Sequence, residues 1–494
     1  MNIIECFIDQ LHMLTQLRVI KPKSLCLAAL GSQLKIEIPH FAFSRNFSKS
    51  ISENKKDQSN SFVSSKEQIR EMIKQASGDL KKMADEGDAE SQSSYGEFLE
   101  SGKIGNSDLA EAVHYYKLSA DQKCASGLLN YGRALIQGIG IKKDEKLGLH
   151  YVNAAAGQDY GPAQLFLGNL YFDGTDHIKK NHIMSARYFK LAADKGIKSA
   201  QNSIAFMLLN GDGIDKNEEQ AMEYLKKSAE QGDAQGQANY AKALAENPND
   251  IKQAIEYFER AAKKGSIDAF IGLASLYSAG KGVQRDMNKA LSYAKQAADT
   301  NDPRGHMLYG YILEQDQKFD QAFIEYKKAA DNGEVTSMGN IARLYQFGLG
   351  CKVDIKKALH YFKMAADKGD PNSANSYAFL LQKGQNGAGK RDINEIIKYY
   401  NISVKAKHTV AMNNLGILYL KGDQLSGLKP KPEEAIKLFK MAADNGNPSG
   451  FLNIGFMYEK GVGRKKDLAE AKKFYQLAAE KGDPFAARLL TKLK

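Results

Sequence analysis

The side chains best suited to proton transfer or metal binding in this sequence are its nine histidines, since imidazole titrates near neutral pH and ligates metals. His114, His150 and His360 recur at multiples of about 36 residues. That period sets each on a different structural unit, at an equivalent helix-surface position, where the three do not converge. His177 and His182 flank one loop without the cysteine or carboxylate cluster that a metal site needs. Cys6, Cys26, Cys124 and Cys351 are far apart and form no Cys-x-x-Cys pair. This excludes a zinc ribbon and a disulfide framework, and fits a reducing compartment. Gly-x-Gly recurs, as in Gly211-Asp212-Gly213 and Gly280-Lys281-Gly282. No phosphate- or dinucleotide-binding glycine motif follows a strand-like run, however. No Ser-His-Asp or Cys-His arrangement is identifiable. The expectation is a protein with no catalysis of its own and with no cofactor or metal.

The glycines and alanines instead keep a period. Ala-Ala-x-x-Gly recurs at Ala192-Ala193…Gly196, Ala261-Ala262…Gly265, Ala365-Ala366…Gly369, Ala442-Ala443…Gly446 and Ala478-Ala479…Gly482. Turn positions fall at Gly87, Lys123, Asp159, Gly196, Gly232, Gly265, Asn301, Gly333, Gly369, Lys407, Gly446 and Gly482, 32 to 39 residues apart. A repeat of this length signals a tandem array, and these turns enclose eleven units. Nine residues past each turn stands Gly or Ala, from Gly96 and Gly132 to Gly416 and Gly455. The residue before it is large and apolar, such as Tyr95, Leu167, Ile204 or Leu415, and Leu or Tyr follows three residues later, such as Leu99 or Tyr458. This i, i+1, i+4 grouping marks one face of a helix, here termed helix A.

Helix A opens on Asp302-Pro303, Asp370-Pro371, Asn447-Pro448 and Asp483-Pro484, where the acid or amide caps and Pro takes the first helical position. It closes on glycines such as Gly102, Gly138 and Gly461, which tolerate the left-handed conformation. Helix B follows, with a buried stripe from Ala221, Ala254 or Ala358 through Tyr224-Leu225, Tyr257-Phe258 or Tyr361-Phe362 to the Ala-Ala pair. The predicted fold is all-α, an α-solenoid of about eleven helix-turn-helix repeats with half-repeat caps, each hairpin covering its neighbour's apolar face. The expected boundaries are a leader over 1–63, an N-terminal capping helix over 64–86, tandem repeats over 87–482 and a C-terminal capping helix over 483–494. The first cap begins on Ser64-Ser65-Lys66-Glu67, a capping box if Ser64 is the N-cap.

The pattern Ala-x3-Leu/Ile-Gly/Ala-x2-Tyr-x2-Gly-x-Gly, then Ala-x2-Tyr/Leu-Phe/Tyr-x2-Ala-Ala-x-x-Gly, resembles the Sel1-like repeat. Gly265 to Gly333 and Gly446 to Gly482 show it most fully, and it covers roughly residues 66–494. The tetratricopeptide repeat, of about 34 residues, lacks the Gly-x-Gly loop. Two short units, carrying Asn247-Pro248-Asn249 and Asp316-Gln317-Lys318 in that place, are locally closer to it. The resemblance implies an adaptor that holds multi-protein assemblies, such as a ubiquitin-ligase complex of ER-associated degradation or a signalling complex.

By analogy with tetratricopeptide hairpins, helix A lines a concave surface. The slot after its small residue should point there, and it varies where structural slots repeat. The candidate partner-binding residues are Arg133, Asn169, Phe206, Lys242, Tyr311, Arg343, Asn375, Phe379, Asn413, Ile417 and Phe456, because aromatic and Arg side chains anchor interfaces. The groove is expected to hold an extended peptide or a partner's helix, and joint charge reversal of Arg133, Lys242 and Arg343 to weaken capture. The net charge of +11 raises an alternative, an RNA-binding or organelle gene-expression factor with a basic groove. The interspersion of Lys and Arg with Asp and Glu reads instead as solvated helix faces, so protein partners are expected over nucleic acid. No run is long enough to span a membrane. The leader is basic, and Arg45-Asn46-Phe47-Ser48 resembles a mitochondrial cleavage site. The expected location is cytoplasmic by default, with mitochondrial import as the alternative and ER entry ranked below it.

Overall fold

The computed structural model describes residues 65–102, 107–384 and 392–492. The leader over 1–63, with Arg45-Asn46-Phe47-Ser48, and the Ser64 cap lie outside the described residues. A lone helix α1 (Ser65–Asp85) precedes the hairpins. The first five are α2 (Ala89–Ser101) with α3 (Leu109–Asp121), α4 (Ala125–Gln137) with α5 (Glu145–Gly157), α6 (Gly161–Asp173) with α7 (His182–Asp194), α8 (Lys198–Asn210) with α9 (Glu218–Glu230), and α10 (Ala234–Leu244) with α11 (Ile251–Ala262). Then come α12 (Ile267–Ala279) with α13 (Met287–Asp299), α14 (Pro303–Gln315) with α15 (Phe319–Asp331), and α16 (Val335–Phe347) with α17 (Ile355–Asp367). The last are α18 (Pro371–Gln382) with α19 (Ile393–Lys405), α20 (Thr409–Lys421) with α21 (Pro432–Asp444), and α22 (Pro448–Lys460) with α23 (Leu468–Glu480), followed by α24 (Pro484–Lys492). The described residues contain no strand, only an isolated bridge between Asp423 and Leu428. The fold is the all-α solenoid of hairpins expected from the repeat, with even-numbered helices as helix A and odd-numbered as helix B.

Each end of a hairpin is fixed by local chemistry. The side chains of Asp108, Asp144, Asn181, Asn217, Asp286 and Asp354 accept the third N–H of helices α3, α5, α7, α9, α13 and α17, and each such cap is worth about 1 kcal/mol. Every turn position named above has positive φ, between 59° and 99°. Lys123, Asp159, Asn301 and Lys407 adopt it without being glycine, at φ 59° to 64°.

The small slot of helix A exists because an aromatic ring of helix B lies on it. A Cβ at Gly96 would stand 2.6 Å from the Tyr116 ring, at Gly168 2.5 Å from Phe189, and at Gly455 2.7 Å from Tyr475. Sequence reasoning placed the small residue but not its ring. The second glycine of Gly-x-Gly has a separate cause. At Gly140 a Cβ would collide with the carbonyl of Leu109, and at Gly350 with that of Phe319. Both neighbours begin helix B of the preceding hairpin. The second glycine therefore seats the A–B loop on the adjacent hairpin.

The chain divides into two compact lobes, the second beginning at Gln237. In the first, Tyr116, Leu135, Val152, Ala155 and Leu167 share one core. In the second, Tyr326, Ile341, Phe362, Tyr399, Tyr400 and Leu415 form a larger one. A buried residue of this size contributes about 1.5–3 kcal/mol, so stability in each lobe rests on hairpin stacking. Among the described residues, no helix is long and apolar enough to cross a membrane.

Candidate partner-binding face

The slot after the small residue of helix A is where side chains leave the core. Phe206 in α8 is 56% exposed, Tyr311 in α14 48%, Phe379 in α18 38% and Phe456 in α22 42%. Asn169 and Lys242 are exposed and Ile417 is half-buried. All of these but Tyr311, which comes after half-buried Tyr309, follow covered pairs (such as Ile204 and Ala205, Tyr377 and Ala378, Ile454 and Gly455). The register that buries two consecutive residues therefore turns the third outward.

Arg133 and Arg343 occupy the same slot and are committed elsewhere. Arg133 donates to both carboxylate oxygens of Glu100 in the preceding hairpin, at 2.8 and 2.5 Å. Arg343 donates to both oxygens of Glu314, at 2.5 and 2.7 Å. A tyrosine of the carboxylate's own hairpin completes each clamp: Tyr116 donates to Glu100 at 2.7 Å and Tyr326 to Glu314 at 3.1 Å. Arginine's guanidinium and the Tyr116 hydroxyl hold the Glu100 carboxyl below its usual range. Burial pushes Glu97, one turn away, above that range, although Asn130 donates to it at 2.7 Å. Charge reversal at Arg133 or Arg343 would thus report on hairpin stacking rather than on docking.

Asn413 is the clearest correction. It is 6% exposed, donates to Asn447 at 3.1 Å and accepts from Asn453 at 3.3 Å. Asn375, half-buried, accepts from Asn414 at 3.0 Å. Asn130 donates to Ser93 in the same way, at 3.1 Å. These amides join successive helices A. They sit three or four residues before the outward slot, on the flank that meets the next hairpin.

The histidines follow the surface reading in part. His114, His150 and His360 are exposed, each edge-on to the next tyrosine at 5.6, 5.9 and 5.4 Å. Sequence reasoning passed over His306, which is buried and lies 2.6 Å from Glu325, itself bonded to Lys328 at 2.8 Å. This group ties α14 to α15.

The sequence profile of the Sel1 repeat matches residues 89–124, 125–160, 161–197, 198–233, 235–266, 269–302, 336–370, 409–447 and 452–483, well over half of the chain. The chain belongs to the Sel1 repeat family. The profile passes over α14–α15, one of the two short hairpins, and α18–α19, yet both fold as Sel1-like hairpins. Over 293 residues the chain is 27% identical to an uncharacterized protein of Neisseria meningitidis serogroup B, covering 59% of this chain and 60% of that one. It is 28% identical over 291 residues to the chitin synthase regulator SKT5 of Saccharomyces cerevisiae, covering 55% and 41%. It is 35% identical over 159 residues to the ERAD-associated E3 ubiquitin-protein ligase component HRD3B of Arabidopsis thaliana, covering 32% and 18%. The chain thus spans less than two thirds of the length of each of these relatives. Among solved structures, a protective antigen of uropathogenic Escherichia coli displaying an SLR fold aligns at TM-score 0.49 and 22% identity, over 84% of this chain and 90% of that one. Sel1 repeats generally mediate protein–protein interaction, typically as non-catalytic scaffolds, and two of these relatives are named as a regulator and a ligase component.

Proposed function

We propose that this Sel1-repeat protein gathers protein partners by holding extended peptides or helices along the outward slot of helix A. One observation carries the reading: a slot flanked by buried, repeated positions displays Phe206, Tyr311, Phe379 and Phe456 to solvent. Large aromatic groups exposed at regular repeats are costly to leave in water and supply the anchors on which interfaces depend. One relative is named as a component of an E3 ubiquitin-protein ligase, which supports a ubiquitin-ligase assembly as the setting, with a signalling complex as the other. The RNA-binding alternative calls for a basic stripe on this face. Two of the slot's cations, Arg133 and Arg343, are neutralised by Glu100 and Glu314, which favours peptide over phosphate backbone.

The test is affinity capture by the full chain and by the triple substitution Tyr311→Ala, Phe379→Ala and Phe456→Ala, with and without nuclease. The expected result is nuclease-resistant partners lost from the variant, whose thermal unfolding is unchanged. Equal recovery by both proteins would remove the aromatic slots from the binding face. Recovery abolished by nuclease would favour the RNA reading.

A further inference from the structure

Helix α12 is short of bulk where α14 and α22 are not. Gly272 and Ser275, one turn apart, stand where α14 carries Leu308 and Tyr311, and where α22 carries Asn453 and Phe456. Beside the small Ser275 side chain lies a recess of about 490 Å³ between α10 and α12, within the roughly 300–1,000 Å³ range of ligand pockets. Its floor is the Phe258 ring, and a Cβ at residue 272 would collide with that ring. Ala238, Ile271 and Leu276 supply apolar wall.

The rim is charged. Asp268 is held by Arg304 at 2.9 Å. Lys281 lies 3.9 Å from Glu246, both exposed. Lys242, in the outward slot of α10, has no ion-pair partner among the described residues. An apolar hollow beside an uncompensated ammonium is complementary to an apolar side chain next to a carboxylate.

We propose that this recess receives the apolar anchor of a partner peptide, a Leu, Met or Phe side chain, with an adjacent Asp or Glu paired to Lys242. The proposal rests on the peptide-binding reading above and adds to it the sequence chemistry of the partner. A flat aromatic row would take many apolar peptides, whereas a hollow with one cationic edge selects an acidic–apolar pair.

The probe is a random dodecapeptide library selected on the full chain. Affinities of the enriched peptides are then measured by fluorescence anisotropy against the unaltered chain and against Ser275→Phe, Lys242→Glu and Phe379→Ala. Phe already occupies the slot of Ser275 in α8, α18 and α22, so Ser275→Phe fills the recess while keeping the fold, as its melting temperature checks. Enriched peptides should pair an apolar with an acidic residue and weaken about tenfold on Ser275→Phe, the worth of one buried anchor. Changing the peptide's acid to Lys should restore binding to Lys242→Glu. Peptides without that pair, or affinities unmoved by Ser275→Phe, would overturn the proposal. Affinities lowered by Phe379→Ala alone would leave the aromatic face standing and sink the recess. A selection that enriches nothing would sink both.

Discussion

The two lobes use one hairpin to make different surfaces. Residues 65–236 carry 21 Lys and Arg against 25 Asp and Glu, a net of −4, while residues 237–494 carry 40 against 28, a net of +12. The outward slot follows suit. In the first lobe it holds Glu97, Arg133, Asn169 and Phe206; in the second, Lys242, Ser275, Tyr311, Arg343, Phe379, Ile417 and Phe456. The inner chemistry does not change. Glycine against an aromatic ring, the Arg–Glu–Tyr clamp, Asp or Asn caps and positive-φ turns occur in both. The frame is therefore a constant, and the recognition chemistry sits in the one slot that the frame leaves unconstrained.

The largest effect should come from breaking the frame. Gly140→Val in the first lobe and Gly350→Val in the second each force a side chain into the neighbouring hairpin's backbone at positive φ. Each should cost about 3–5 kcal/mol in urea unfolding, from overpacking together with backbone strain. A cost confined to one lobe would break the equivalence.

Next in size are the clamps. Glu100→Ala and Glu314→Ala strand a half-buried arginine and should each cost about 2 kcal/mol, the scale of a lost charged hydrogen bond with some solvent access. Glu100, whose carboxyl is held low, contributes stability that is present above the ordinary carboxylate range and lost as pH falls through it and below. Glu97, whose carboxyl is held high by burial, acts in the opposite sense and opposes folding as pH rises through and above that range. Acid titration should therefore show Glu100→Gln less sensitive to falling pH than the unaltered chain. Glu97→Gln should be more stable than the unaltered chain near neutrality.

The frame was largely legible in the sequence, because turns, small slots and Ala-Ala pairs are set by contacts that recur at every repeat. The clamps were not. Arg133 and Arg343 looked like outward anchors because their partners, Glu100 and Glu314, lie 33 and 29 residues earlier, in a different part of the preceding helix A. A carboxylate near the end of one helix A, with tyrosine in the following helix B and arginine in the next outward slot, was the available signal. Asn413 was misjudged for a related reason: a polar residue reads as exposed until its amide partners on adjacent helices are known. The role of the second glycine of Gly-x-Gly was not legible either, since nothing within one repeat reveals the carbonyl it must clear.

Smaller effects separate the two surfaces. Phe379→Ala or Phe456→Ala should weaken partner binding about tenfold while moving stability by no more than about 0.5 kcal/mol. Asn169→Ala in the first lobe should do neither, and binding titration with paired thermal melts distinguishes the cases. The smallest effect is common to both lobes. Lys123→Gly and Lys407→Gly relieve side chains held at φ 59° and should each raise stability by about 0.5–1 kcal/mol, read as a shift in the urea midpoint.

The polar ties between hairpins are short in sequence, the Asn453–Asn413 bond spanning 40 residues and the clamps fewer. Almost nothing in the fold waits for a distant part of the chain. Each hairpin can close and dock as it leaves the ribosome, onto a neighbour already in place, so growth by one repeat adds length without adding a search problem.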